Sequence, residues 1–120
     1  MSTASGEKRL YPRMPLATKV VFEDEFGEGL FYVYSENISM GGLFLASDVP
    51  LKRGTMMFIS FVLPGRARPV HLTGEVVRRV QMGGEGDGIG VRFVGLPADV
   101  DAALMRFMSA HHKEDVSSGR

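Results

Sequence analysis

The chain has 120 residues, which is enough for one domain of ordinary size and too few for two. Hydrophobic residues make up 44% and charged residues 23%, the proportions of a globular domain with an apolar core. The 14 basic and 14 acidic side chains cancel, so no overall field attracts nucleic acid or an anionic membrane. Cysteine is absent, which excludes disulfides and thiolate metal sites.

The two ends of the chain differ in composition from the residues between them. Residues 1–7 and 112–120 are small, polar or charged, so we expect two flexible ends around a domain at 8–111. No apolar stretch reaches the roughly 18–20 residues of a membrane span, and residues 1–7 lack the apolar core of a signal peptide. The sequence therefore predicts a cytoplasmic protein without membrane insertion.

Short apolar runs alternate with turn residues along most of the chain, which is typical of an all-β domain. The predicted strands lie at 16–22, 30–38, 43–46, 56–63, 70–76 and 89–94. Apolar and polar side chains alternate in the second and fifth of these, which predicts one buried face. Met56–Leu63 is apolar almost throughout, so we expect it to be buried on both faces. A Gly-Asp-Gly sequence within Gly83–Gly88 suits a hairpin before the last strand.

The last predicted element changes from a period of two to the period of a helix. Its apolar residues share one helical stripe, namely Val100, Ala103, Leu104, Phe107 and Met108. Pro97 suits the first helical position, and acidic residues near a helix N-terminus are favourable. Six strands and one C-terminal α-helix predict a mainly all-β fold, a small antiparallel barrel with the helix packed over one opening or flank.

Two short motifs could carry a binding function, although each has an ordinary structural explanation. Arg9-Leu10-Tyr11-Pro12-Arg13 could be a solvated basic tail, but Pro12 stiffens it and favours an extended conformation. Asn37-Ile38-Ser39-Met40-Gly41-Gly42 could be a simple turn, since turns are rich in these residue types.

The two motifs in this order resemble the signature of the PilZ family, Arg-x-x-x-Arg followed by Asp/Asn-x-Ser-x-x-Gly. Both halves are complete, with Arg9 and Arg13 in the first and Asn37, Ser39 and Gly42 in the second. The resemblance spans Lys8 to His111 and continues through Gly41-Gly42-Leu43-Phe44, Gly74-Glu75-Val76-Val77, Gly88-Ile89-Gly90-Val91-Arg92-Phe93 and the closing helix. It implies a six-stranded antiparallel PilZ-type β-barrel with one C-terminal α-helix.

The resemblance also implies a ligand, the bacterial second messenger cyclic di-GMP, which is a signal rather than a cofactor. Arginine can bind its phosphates, read guanine O6 and N7, or stack on its bases. By analogy, Arg9 and Arg13 should clamp phosphate and guanine from the N-terminal side. Lys8 is a candidate extra phosphate contact, and a basic residue there is associated in the family with a second, stacked nucleotide.

The turn motif supplies the other implied contacts of the ligand. Asn37 should meet a polar edge of guanine, although an amide in place of a carboxylate could weaken this contact. Ser39 should meet a phosphate or a base, and Gly42, beside Gly41, should permit close backbone approach.

The position of the arginines before the barrel suggests how binding becomes a signal. We expect Lys8–Arg13 to be loosely held in the free protein and to fold across the barrel with the ligand, with Met14 and Pro15 as the hinge. A protein effector could read that change. PilZ proteins serve motility, exopolysaccharide output and development, so the resemblance implies that the process controlled is of this kind.

An enzyme is one alternative reading, and the residues present disfavour it. His71 alternates with apolar neighbours, which predicts a surface position, and His111 and His112 end the helix. No nucleophile motif or metal-ligand spacing is present, and the glycines of Gly83–Gly90 do not form a dinucleotide loop. We therefore expect no catalytic residue and no metal site.

Two binding alternatives remain. A nucleic-acid-binding barrel could stack bases on Phe31, Tyr32 and Tyr34, but the zero net charge argues against it. A PilZ fold could also serve as a protein-interaction adaptor with weak or no nucleotide binding, which the intact motif disfavours without excluding.

Overall fold

Apolar side chains at alternate positions along each long strand point to one interior, which is how a closed barrel builds its core. A computed structural model describes residues 12–81, 83 and 86–118 of the chain. These residues form seven strands and one helix: β1 Met14–Pro15, β2 Lys19–Asp24, β3 Phe31–Ile38, β4 Gly42–Ala46, β5 Met56–Phe61, β6 Val70–Val80, β7 Gly88–Val94 and α1 Ala98–Ser118.

Six of the strands close into an antiparallel ring. β3 pairs with β2, followed in order by β5, β6, β7 and β4, and β4 pairs again with β3. The short β1 pairs with the end of β3, on the same side as β2. The predicted fold, a six-stranded antiparallel barrel with one C-terminal helix, is confirmed.

The gap between β1 and β2 is closed by a buried serine. The Ser35 hydroxyl donates to the carbonyl of Leu16 and accepts from the backbone N–H of Thr18 at 3.1 Å. Backbone bonds from Leu16 to Glu36 and from Ser35 to Thr18 flank it, at 3.1 and 3.0 Å. β1 is therefore anchored to the barrel rather than detached from it.

The helix packs on the barrel through the stripe that the sequence predicts. All five stripe residues are buried, and Leu104 is fully so. The Asp101 N–H donates to the Pro97 carbonyl at 2.9 Å, which places Pro97 at the start of the helix. The helix continues to Ser118, beyond the boundary at His111 that the sequence suggested.

β5 differs from the prediction that both of its faces are buried. Met57, Ile59 and Phe61 point inward and are buried, whereas the Phe58 side chain is 51% exposed. A barrel wall is one strand thick, so only one face of any strand can point to the interior. The outward apolar residues of β5 therefore belong to the surface.

Two β-bulges break the alternation of side chains, one on each of two strands. One lies between Ser35 and Asn37 in β3, and the other between Val76 and Arg78 in β6. Ser35 and Val76 are buried, so strict alternation would turn Asn37 and Arg78 inward as well. Each extra residue reverses the alternation and aims the polar side chain at the outer surface.

Candidate ligand-binding site

The two bulges flank a row of residues that crosses four strands on the outer surface. Asn37 of β3 lies opposite Phe44 of β4, Phe44 lies opposite Gly90 of β7, and Gly90 lies opposite Arg78 of β6. We call these four residues the ligand row. Directly opposite residues on neighbouring strands are close enough for their side chains to touch.

The second motif arginine reaches this row through β1. Met14 and Pro15 pair with Ile38 and Asn37, which brings the preceding Arg13 to the end of the row. Arg13 Nη1 donates to Asn37 Oδ1 at 2.7 Å. Because the Asn37 amide is neutral, this bond orients the guanidinium without cancelling its charge, and the amide N–H₂ can still donate to a ligand.

A second guanidinium lies close to Arg13. The charge centre of Arg78 lies 5.4 Å from the centroid of the Phe44 ring, a cation–π contact. Partial burial lowers the pKa of Arg13, and the positive charge of Arg78 lowers it further. Within the described residues the one ion pair joins Arg92 to Glu75 and involves neither arginine. The site is thus suited to an anionic group that would relieve this repulsion.

The turn after Asn37 is held by Ser39. Its hydroxyl oxygen accepts from the backbone N–H groups of Gly41 and Gly42, each at 3.1 Å, and the Ser39 N–H donates to the Gly42 carbonyl at 2.9 Å. Ser39 is buried and Gly41 is half-buried. A hydroxyl that accepts two bonds can still donate its own proton, so Ser39 shapes the turn while keeping one donor.

Gly42 permits a close approach between two strands of the barrel. A Cβ atom there would lie 2.1 Å from the carbonyl oxygen of Val91 on β7, closer than any real contact. The sequence predicted that Gly42 lets the ligand approach the backbone closely. In the structure, the group that lies close to Gly42 is the backbone of Val91.

Comparison with protein-family models decides the identity of the fold. The model described as "PilZ domain" matches residues 7–110. The chain belongs to the PilZ domain family.

Solved structures similar to this PilZ domain agree in fold at low sequence identity. The inhibitor of motility MotI/DgrA of Bacillus subtilis is 19% identical with a TM-score of 0.74, over 87% of this chain and 51% of that one. The PilZ domain of YcgR from Escherichia coli, solved with cyclic di-GMP, is 14% identical with a TM-score of 0.67, over 91% and 95%. The PilZ domain of CeSA from a cellulose-synthesizing bacterium is 19% identical with a TM-score of 0.64, over 84% and 98%.

This PilZ domain spans about half the length of the MotI/DgrA chain it resembles. No functionally curated protein matches it in sequence. In the part of the chain that the structure describes, no helix is long and apolar enough to cross a bilayer. Among the same residues, no group of three or more His, Cys, Asp or Glu side chains could hold a metal ion.

The structure brings most of the predicted site residues of the PilZ domain into one region. Arg13 contacts Asn37 directly, and the turn of Ser39, Gly41 and Gly42 follows Asn37 in the chain. Lys8 and Arg9 lie outside the described residues, so their predicted roles stay predictions.

Sequence reasoning missed Phe44 and Arg78, and the glycines of β7 that accommodate them. A Cβ on Gly88 would lie 2.2 Å from Phe44 Cζ, so the ring occupies the space that a side chain there would need. Gly90 lies beneath Arg78, where a Cβ would be 3.4 Å from Arg78 Cβ. The Gly-x-Gly spacing on β7 was a usable signal, because alternate residues of a strand share one face.

Proposed function

We propose that this PilZ domain is a receptor for cyclic di-GMP that binds over the ligand row and relays the second-messenger level to a partner protein. The observation that carries the proposal is the convergence of Arg13 and Arg78 on Asn37 and Phe44, with neither arginine in an ion pair among the described residues. A phosphodiester would supply the missing negative charge, and a purine would supply a flat face for the second side of a guanidinium.

The chemistry of the row assigns a role to each side chain. Arg13 binds phosphate or the O6 and N7 edge of guanine, and the Asn37 amide donates to the same edge. Arg78, backed by the Phe44 ring, stacks on a base or binds a phosphate. Ser39 donates its hydroxyl proton to a ligand oxygen.

Lys8 and Arg9 complete the site in this proposal. The Arg9 guanidinium closes over the ligand from the N-terminal side, with Lys8 as a further phosphate contact. Residues 8–12 of the arm become ordered as it does so, next to Arg13, which is already bonded to Asn37. This ordering changes the exposed surface that a partner reads. β1 is paired with β3 and Arg13 is bonded to Asn37, so we place the hinge of this movement before Arg13 rather than at Met14 and Pro15.

Similar solved structures support the ligand and the broad process. YcgR was solved in complex with cyclic di-GMP, MotI/DgrA is named an inhibitor of motility, and CeSA comes from a cellulose-synthesizing bacterium. Control of motility or of exopolysaccharide output is therefore the process we propose for this receptor. We propose a cytoplasmic location, since the absence of cysteine fits a reducing compartment.

Titration calorimetry of the full chain with cyclic di-GMP tests the proposal. We expect a dissociation constant from submicromolar to tens of micromolar, roughly −7 to −9 kcal/mol. Cyclic di-AMP should bind more weakly, because adenine presents a donor where guanine presents O6. The absence of heat and of competition at ligand concentrations of about 100 μM would contradict the proposal.

An adaptor with weak or no nucleotide binding is the second candidate function. The exposed aromatic side chains Tyr32 and Tyr34 of β3 and Phe58 of β5, none of which belongs to the ligand row, favour it. The two candidates are compatible if the same domain binds the nucleotide over the ligand row and a protein at these aromatic side chains.

A further inference from the structure

A groove on the outer face of β2, β5 and β6 shares no residue with the ligand row. It has a volume of about 380 Å³, and its lining includes Val21, Glu23, Leu30, Phe58 and His71. Leu30 and Phe58 are 56% and 51% exposed, which is high for large apolar side chains. We call this feature the partner groove, since exposed apolar surface of this kind marks contact sites.

The partner groove contains a carboxylate beside an aromatic ring. Glu23 of β2 and Phe58 of β5 lie directly opposite each other, and both point outward. A guanidinium or ammonium group placed there meets a charge partner and a ring at the same time. The carboxylate and the ring together favour a cationic side chain of a partner. An apolar groove without them would not distinguish a cationic partner from an anionic one.

The turn beside the partner groove adds a further acidic and aromatic element. Asp24 Oδ1 accepts from the backbone N–H groups of Phe26 and Gly27, each at 3.0 Å, and Glu25 Oε1 accepts from the Met56 N–H at 2.7 Å. These bonds fix the turn, yet the Phe26 side chain at its tip is 67% exposed. A well-anchored turn that presents a phenyl ring to solvent is suited to contact with another molecule.

The carboxylates beside the partner groove differ in whether they are already bonded. The carboxylates of Asp24 and Glu25 are engaged within the turn, while Glu23 and Glu28 take part in no ion pair among the residues that the structure describes. Charge complementarity therefore favours a basic partner over an acidic one, and over nucleic acid or an anionic bilayer.

β3 links this face to the nucleotide site. Its outward residue Tyr32 lies opposite Val21 in the partner groove, and Tyr34 follows on the same face. The two tyrosines are 65% and 58% exposed. The same strand ends at Asn37, so the apolar surface runs from the groove towards the ligand row.

We propose that the partner groove binds a segment of a partner protein that presents an arginine or lysine between apolar side chains. The cation lies between Glu23 and Phe58, and the apolar neighbours cover Leu30 and Val21. This inference rests on the relay part of the proposed function, and it does not require that nucleotide binds.

A pair of synthetic peptides of opposite charge tests the proposal. One contains leucine and arginine, the other leucine and glutamate, each about 12 residues long. In a ¹⁵N NMR titration of the full chain, the leucine–arginine peptide should shift amides of 21–23, 58–60 and 71–73, and the leucine–glutamate peptide should not. Glu23→Gln should weaken binding about fivefold and Phe58→Ser about tenfold.

Met105→Ser on the helix is the matched control, since Met105 is 56% exposed outside the groove and its loss should leave peptide binding unchanged. Shifts elsewhere on the surface, or equal binding of both peptides, would overturn the proposal. So would groove shifts that grow with protein concentration alone, which would identify a second copy as the occupant. Cyclic di-GMP affinity should be unchanged in Glu23→Gln and Phe58→Ser, so failure here is distinguishable from failure of nucleotide binding.

Discussion

Arg13 and Asn37 show how one hydrogen bond prepares a charge for a ligand. The bond at 2.7 Å orients the guanidinium, and the neutral amide leaves its positive charge available. An aspartate at position 37 would form an ion pair with Arg13 and so satisfy part of this charge before any ligand arrives. Asparagine at position 37 therefore orients the Arg13 guanidinium and leaves its positive charge free to bind an anionic ligand.

Arg13→Ala should weaken cyclic di-GMP binding at least tenfold, about 1.4 kcal/mol, because it removes a charged donor from the site. The domain should stay folded, since Arg13 is exposed and precedes β1. Calorimetry and circular dichroism measure the two effects. Arg66→Ala, which changes an exposed arginine in the turn between β5 and β6, is the control and should bind normally. Unchanged affinity in Arg13→Ala would place the site elsewhere.

Arg78→Gln should affect the stability of the free domain and its affinity for the ligand differently. In the free protein this change removes repulsion towards Arg13, so the free energy of unfolding should stay within about 0.5 kcal/mol of the parent value. Ligand affinity should nevertheless fall about tenfold, because a charged and stacking group is lost. Urea unfolding and calorimetry test the pair of outcomes. Unchanged nucleotide affinity would remove Arg78 from the site.

At the scale of elements, the bulges and the glycines of neighbouring strands form the site together. The bulges in β3 and β6 turn Asn37 and Arg78 outward, and the small residues of β7 leave space for the Phe44 ring and for Arg78. The motif turn depends on β7 as well, because Gly42 lies against Val91. The site is thus a property of the β3–β4–β7–β6 wall.

Gly42→Ala should destabilise the domain by about 2–3 kcal/mol, because the new methyl group meets the backbone of β7, which has no flexible side chain to move aside. The matched change Gly90→Ala meets only ordinary contacts and should be neutral or stabilising by up to about 1 kcal/mol. Urea denaturation of both variants checks the contrast. Equal stability of the two would show that β4 and β7 can separate without cost.

On the scale of the whole molecule, the proposed signal is a movement of the residues before β1 relative to the closed barrel. Hydrogen exchange tests the proposed movement. The amides of Arg9, Leu10 and Tyr11 should exchange fast in the free protein and slowly with cyclic di-GMP, because ligand contacts order them. Barrel amides such as that of Leu43, which is fully buried, serve as the internal control. Protection of the arm before ligand is added would contradict a switch.

Stoichiometry is a second property of the whole complex. We expect two stacked nucleotides per chain, with Lys8 near the second, so the calorimetric stoichiometry should be near two and fall towards one in Lys8→Leu. The motif arginines are unchanged in this variant, so the first site should be retained. A stoichiometry near one in the parent chain, unchanged by the substitution, would contradict a ligand dimer.

The sequence by itself determined the barrel, the helix stripe and the motif residues, because alternation, helical period and turn chemistry are local properties of the chain. Val100 and Leu104 are buried as their spacing predicts, whereas the direct bond between Arg13 and Asn37 was not predicted from the motif. Only the tertiary structure decided that Arg78 and Phe44 join the site and that Phe58 faces outward. These outcomes depend on bulges, on cross-strand register and on a barrel wall that is one strand thick. Such features arise from pairing between strands that are distant in the chain, so they produce no periodic pattern of residues in the sequence.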